Sequence, residues 1–212
     1  MMSKIKTLLW DIDGVLIWHH PSDPSKDWRK NIACRDMLLL WEEFQRSLYW
    51  ERCLRDHRID TRVCFQKFLS HKGLDESEDY HTVIDIWLKH NSKICKPALE
   101  KLKDLQAQGY ECALATNQDG ARKSHITHWL EQYDLHTMPR FISCDLNHAK
   151  PDAEYFRHIE NALGRNSEEL LLLDDTHKNI IGAQKAGWSA IHIDERYKLK
   201  PSKWASLEFS KI

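Results

Sequence analysis

Two spacings of apolar residues divide this chain. Lys6 to Trp10 is a short apolar run that closes on Asp11, the pattern of a strand buried inside a parallel sheet. From about His19 to Lys96 the apolar positions recur every three or four residues: Met37, Leu40, Trp41 and Phe44, then Phe65, Phe68 and Leu69, then Val83, Ile84 and Trp87. That spacing predicts helices, and no convincing alternating strand interrupts it. After Pro97 the two patterns alternate. Helices are predicted over Pro97–Gln108, Arg122–Gln132, Asp152–Leu163 and Lys178–Ala186, with strands over Tyr110–Thr116, Arg140–Cys144, Leu170–Asp174 and Ser189–Ile193. Gly109 and Gly187 each stand just past a predicted helix, where a stop that tolerates positive φ is wanted. Strand and helix in alternation mean a parallel sheet wrapped by helices. The expected fold is α/β: a doubly wound, Rossmann-like core made of residues 1–18 and 96–212, interrupted after its first strand by an α-helical insert over 19–95. Pro21 to Ser25 reads as the loop into that insert.

In an open parallel sheet, ligands bind in the crevice beyond the carboxyl ends of the strands. Polar residues gather there. Asp11 and Asp13 follow the first strand, Thr116 and Asn117 the second, His148-Ala149-Lys150-Pro151 the third, and Asp174-Asp175 the fourth. Carboxylates brought together repel one another and are costly to desolvate, so a hard divalent cation with oxygen ligands is the natural counter-ion. Mg2+ fits best, because it needs few protein carboxylates and leaves positions for water and a substrate phosphate. The expected ligands are Asp11, Asp175, the backbone carbonyl of Asp13, and Asp174 directly or through water. A carboxylate aimed at phosphorus gives an aspartyl-phosphate, and a second acid two residues on protonates the leaving oxygen. Asp11 is therefore the candidate nucleophile and Asp13 the candidate general acid/base, on one face because i and i+2 of an extended segment point the same way. Gly14 lets the chain turn away closely. Thr116, the Asn117 amide and Lys150 are the candidate cradle for the phosphoryl oxygens.

Composition narrows the substrate. With 31 basic and 32 acidic residues and a formal net charge of -1, the chain has no electrostatic footprint for nucleic acid or an anionic membrane, so a small phosphorylated metabolite is expected. At 212 residues there is room for one core domain plus a sizeable insertion. No apolar stretch approaches a membrane span, and the start runs into a strand without an apolar signal core, so a cytoplasmic protein is expected; a monomer is expected because an inserted lid works within one chain. The six cysteines contain no Cys-x-x-Cys pair and read as buried, small residues.

These residues carry a resemblance. Trp10-Asp11-Ile12-Asp13-Gly14-Val15-Leu16, Leu114-Ala115-Thr116-Asn117, Lys150-Pro151-Asp152 with Tyr155-Phe156, and Leu173-Asp174-Asp175 with Asn179 and Ala183 to Gly187 stand in the order of the four motifs of the haloacid-dehalogenase-like superfamily of hydrolases. The chain resembles the subgroup with a helical cap inserted after the first strand. The resemblance implies a magnesium-dependent phosphatase, with Asp175 the surer metal ligand of the acidic pair and Asn179 a brace for its loop. Members that remove halide lack the second aspartate of the first motif, so Asp13 disfavours dehalogenation. Phosphonate-cleaving members use a cap lysine, and nothing singles one out among Lys26, Lys30, Lys67, Lys72 and Lys89. Phosphomutases share all four motifs and stay open as an alternative, as does a catalytically silent binding protein. Ile59-Asp60-Thr61 with Phe65, and Gly73-Leu74, are similar to small phosphatases acting on sugar phosphates. His19-His20 are candidates for contact with the leaving group or a metal, while Trp18, Trp28, Tyr49 and Trp50 are expected in a core rather than along a substrate wall.

Overall fold

A computed structural model of the chain describes residues 5–17, 35–74, 79–90, 94–200 and 202–207; His19, His20, Trp18 and Trp28 lie outside them. Five strands, β1 (Thr7–Trp10), β2 (Glu111–Thr116), β3 (Arg140–Ile142), β4 (Leu170–Asp174) and β5 (Ser189–His192), form one parallel sheet in the order β3-β2-β1-β4-β5. The chain leaves central β1 for β2 on one side and later crosses to β4 on the other, which makes the gap beyond β1 and β4 a topological switch point. Register fixes what meets there. Trp10 pairs with Leu173, and the next step sets Asp11 level with Asp174, with Asp11 N–H donating to the Leu173 carbonyl at 3.0 Å.

Alternation along each strand feeds two cores. Leu8, Trp10, Cys112, Leu114, Leu171 and Leu173 face one side, under α5 (Lys96–Ala107) and α6 (Gly120–Gln132). Leu9, Ala113, Ala115, Leu170 and Leu172 face the other, beneath Tyr155, Phe156 and Ile159 of α8 (Ala153–Leu163) and Ala183 of α9 (His177–Lys185). Gly182 of α9 is needed for this approach, because a Cβ there would press into Pro151. Two short helices end the described chain, α10 (Glu195–Leu199) and α11 (Ser202–Ala205), and Trp204 of α11 stacks on Trp10 at 6.1 Å between ring centroids.

Between β1 and α5 the described residues build four helices, α1 (Arg35–Phe44), α2 (Leu48–Cys53), α3 (Thr61–His71) and α4 (Asp79–His90). They have their own aromatic core, in which a fully buried Trp41 packs on Phe44, Phe65 and Trp87, with Tyr49 and Trp50 partly buried against it. Asp60 caps α3 by accepting from Arg62 and Val63 N–H, so the Ile59-Asp60-Thr61 stretch begins a helix. The chain enters and leaves this insert side by side: Ile17 pairs antiparallel with Ile94, and Cys95 N–H donates to the Leu16 carbonyl at 2.7 Å. The insert also touches the core through Arg55 and Asp152 (3.1 Å), and through His57 N–H and the Cys144 carbonyl (3.0 Å).

The strand predicted over Arg140–Cys144 is shorter than expected. β3 stops at Ile142, and Ser143–Leu146 turns into a short helix, α7. Ser143 Oγ accepts from Gln118 N–H at 2.9 Å and donates back to the Gln118 carbonyl, which draws the chain toward the end of β2 and out of the ladder. Among the described residues no helix is long and apolar enough to cross a membrane.

Candidate active site

Asp11 leaves β1 only 7 % exposed; its Oδ1 accepts from Ile12 N–H at 2.8 Å and lies 3.2 Å from Lys150 Nζ. A tight turn follows, closed by Ile17 N–H to the Ile12 carbonyl and Gly14 N–H to the Ile17 carbonyl. Gly14 sits at φ +81°, and a Cβ built on it would overlap the Asp175 carboxylate. Glycine is thus required twice, for its backbone angle and for the close approach of the loop after β4.

Lys150 is buried to 2 % exposure. Its ammonium donates to the Ala115 carbonyl at 2.6 Å and to Asp174 Oδ2 at 2.5 Å, besides facing Asp11. The Asn117 side chain holds the lysine backbone at both ends, accepting from Lys150 N–H and donating to the Lys150 carbonyl, each at 2.8 Å. The Asn117 carboxamide therefore sets the lysine in place. Asp174 is enclosed by donors: Thr176 N–H at 2.8 Å, Asn179 Nδ2 at 3.1 Å to both oxygens, and Lys150. The Asn179 carboxamide thus contacts both oxygens of Asp174.

Charge follows from this packing. Burial drives the Asp11 carboxyl well above the usual carboxylate range; Lys150 pulls it back, Asp174 and Asp175 push it further up, and the Thr116 hydroxyl bond only partly offsets them. Burial works against the Lys150 ammonium, but the Asp11 and Asp174 carboxylates outweigh it and hold the lysine above its ordinary value. One lysine pairs with two carboxylates, and Asp175 brings a third to the same place.

Those three are the test of a metal. Carboxylate oxygens from Asp11, Asp174 and Asp175 come within 4.8 Å of one another, a hard-oxygen set of net negative charge. Such a donor set fits a magnesium ion, and a cation there would relieve the repulsion that raises Asp11. Asp175 lies against Gly14 while the Asp174 oxygens are occupied by Lys150, Thr176 and Asn179, so Asp175 is the better placed of the acidic pair.

Asp13 stands beside Asp11 with partners that spacing alone did not reveal. Gln118 Nε2 donates to Asp13 Oδ2 at 2.7 Å and also reaches Thr116 Oγ1 at 3.0 Å. Arg122 Nη2 donates to Asp13 Oδ1 at 2.9 Å from a side chain with no exposure at all. A basic residue in the first turn of a helix reads as solvated. The available signal was that Gln118 directly follows Thr116-Asn117 and Arg122 stands four residues, about one helical turn, beyond it.

Comparison with known proteins finds relatives along most of the chain. A sesquiterpene phosphatase, astK, of Aspergillus oryzae is 23% identical over 198 residues, covering 92% of this chain and 93% of its own. The pyrophosphatase PpaX of Bacillus cereus is 25% identical over 198 residues, covering 87% and 81%. Among solved structures, the HAD family enzyme bt-2542 of Bacteroides thetaiotaomicron, in complex with magnesium and inorganic phosphate, superposes with a TM-score of 0.65 at 21% identity, over 89% of this chain and 93% of that one. The model of the haloacid dehalogenase-like hydrolases matches residues 5–187, from the strand that delivers Asp11 to the glycine that ends the last helix of the crevice, and the chain belongs to that family.

Proposed function

We propose that this protein is a magnesium-dependent phosphatase that hydrolyses a small phosphomonoester through an aspartyl-phosphate, with residues 19–95 serving as the cap over the site. The observation that carries this reading is the pair of carboxylates on one turn: Asp11 faces the Lys150 ammonium, and Asp13 is held separately by Gln118 and Arg122. Two acids in different surroundings take different roles. Asp11 Oδ forms a bond to phosphorus as the bond to the leaving oxygen breaks, and Asp13 passes its proton to that oxygen. In the second step Asp13 takes a proton from water, which attacks the phosphorus and frees Asp11. Lys150, Thr116 Oγ1 and the Asn117 backbone amide face the phosphoryl oxygens. Magnesium held by Asp11, Asp175 and the Asp13 carbonyl, with Asp174 behind, would neutralise the phosphoryl charge.

The relatives named as phosphatase and pyrophosphatase support phosphorus chemistry, and the presence of Asp13 separates the chain from halide removal, whose leaving group needs no proton. Purified protein is expected to hydrolyse p-nitrophenyl phosphate with magnesium, to stop on chelation, and to be inactive as Asp11→Asn. Undiminished turnover by that variant would refute the nucleophile. A phosphomutase would instead require a sugar bisphosphate primer and release no net inorganic phosphate, so a phosphate-release assay without primer separates the two.

A further inference from the structure

We propose that Arg122 is the positioning residue for the Asp13 carboxylate and that helix α4 of the insert holds Arg122 in place, so that the seating of the insert sets the aim of the acid. This rests on the reading of Asp13 as the general acid/base. Two buried donors fix the two carboxylate oxygens separately, Gln118 Nε2 on Oδ2 at 2.7 Å and Arg122 Nη2 on Oδ1 at 2.9 Å. With both oxygens bound, the plane of the carboxylate is defined, while the Asp13 side chain keeps 43% of its surface exposed.

The other side of the same guanidinium belongs to the insert. Its central carbon lies 5.5 Å from the ring centre of Trp87, and Nη1 reaches the Leu88 carbonyl at 3.5 Å, both on α4. Trp87 is in turn packed on Trp41 and Trp50 in the aromatic core of the insert. A second contact bears on the same turn of α6. Asp119 caps that helix by accepting from Ala121 and Arg122 N–H, and the same Oδ1 accepts from Thr61 Oγ1 of α3 at 2.9 Å. The first turn of α6 is therefore set between the acid and two helices of the insert. A guanidinium forked between Asp13 and α4 couples them because its geometry is planar and rigid; an ammonium could not span both. If the insert shifts, the cation loses its aromatic face and carbonyl, and the carboxylate loses a fixed donor.

The test uses leaving groups of different demand. p-Nitrophenolate departs without a proton, whereas an alkoxide needs one, so loss of the acid lowers kcat/KM for an alkyl phosphate more than for p-nitrophenyl phosphate. Asp13→Asn is expected to show this skew by roughly 10²- to 10⁴-fold, the range of general acid–base contributions. Arg122→Met and Trp87→Leu should skew the same ratio in the same direction by about tenfold or more, and Arg122→Met should add no further skew in the Asp13→Asn background. Arg122→Lys, which keeps the buried charge and supplies the readout where Arg122→Met does not fold, should fall between wild type and Asp13→Asn. Equal losses on both substrates for the Arg122 variants, with Asp13→Asn still skewed, would overturn the positioning role and leave the phosphatase reading standing. An unskewed Trp87→Leu would overturn the link to the insert. If Asp13→Asn itself shows no skew, the acid assignment falls, and the role of Arg122 with it.

Discussion

Replacing Lys150 by methionine isolates the charge at the centre of the crevice. Methionine keeps an unbranched side chain of similar reach, so the packing of the stem is largely preserved and the loss is electrostatic. Lys150 is the cation shared by Asp11 at 3.2 Å and Asp174 at 2.5 Å, and its side chain is fully enclosed. Removing one partner of a buried ion pair costs about 3–5 kcal/mol, since the other partner stays buried and uncompensated. Asp174 retains Asn179 and Thr176 N–H, which places the expected loss toward the lower end, about 3 kcal/mol in urea denaturation at pH 7 with chelator present. The raised pKa of Lys150 means that its contribution is fully present below the unfolded lysine value of about 10.4 and is lost only as pH rises through the folded one. In the variant, Asp11, already raised, binds its proton more tightly in the folded state than in the unfolded. The deficit against wild type should accordingly be smaller near pH 5 than near pH 8. Magnesium at about 100 times its dissociation constant should return about 2.7 kcal/mol. Lys150→Met/Asp174→Asn should be less destabilised than the sum of its single variants by about 1 kcal/mol or more, because the charge left unpaired is removed with its partner. A deficit independent of pH, or strict additivity in the double variant, would refute this account of the ion pair.

Two further outcomes follow from single residues. Gly14→Ala forces a side chain into left-handed backbone at a cost of about 1–2 kcal/mol and drives Asp175 from its place, so urea denaturation should show the loss and a magnesium titration at least about tenfold weaker binding. Burial raises the Asp119 carboxyl against the bonds from Arg122 N–H, Thr61 and Ala121 N–H, so the folded state holds its proton more tightly than the unfolded chain and wild type loses stability as pH rises from about 4 through that raised value. Asp119→Asn lacks this term, and the stability difference should move in the variant's favour over that window and level off above it; a difference constant with pH in denaturation midpoints would show that Asp119 does not titrate there.

The sheet was legible because its central strands are buried on both faces: Leu170–Leu173 reads as an unbroken apolar run, and the strand predicted over Leu170–Asp174 covers those same residues. The gathering of Asp11, Thr116, Lys150 and Asp174 was legible for a related reason, since strand ends in a parallel sheet share one edge. Contacts across the chain were not. Arg122 is distinguished from a surface arginine by distant contacts such as Asp13 and Trp87, residues 109 and 35 positions away, and local spacing holds no trace of either. The shortening of β3 was hidden likewise, because the Ser143 hydroxyl that turns the chain does so through Gln118, a residue 25 positions away. The order of the strands about β1 is a property of pairing, which alternation alone does not fix.

The antiparallel pairing of Ile17 with Ile94 also bears on how such a chain can change. Because the two crossings between insert and core lie side by side, the sheet meets the whole helical block as though it were a single short loop, whatever its length. Segments whose ends meet at one surface point can be lengthened, shortened or exchanged without stretching the body that carries them. The nucleophile turn and the helical block are therefore separable inheritances: one can stay fixed while the other is rebuilt, with Ile17 and Ile94 as the seam.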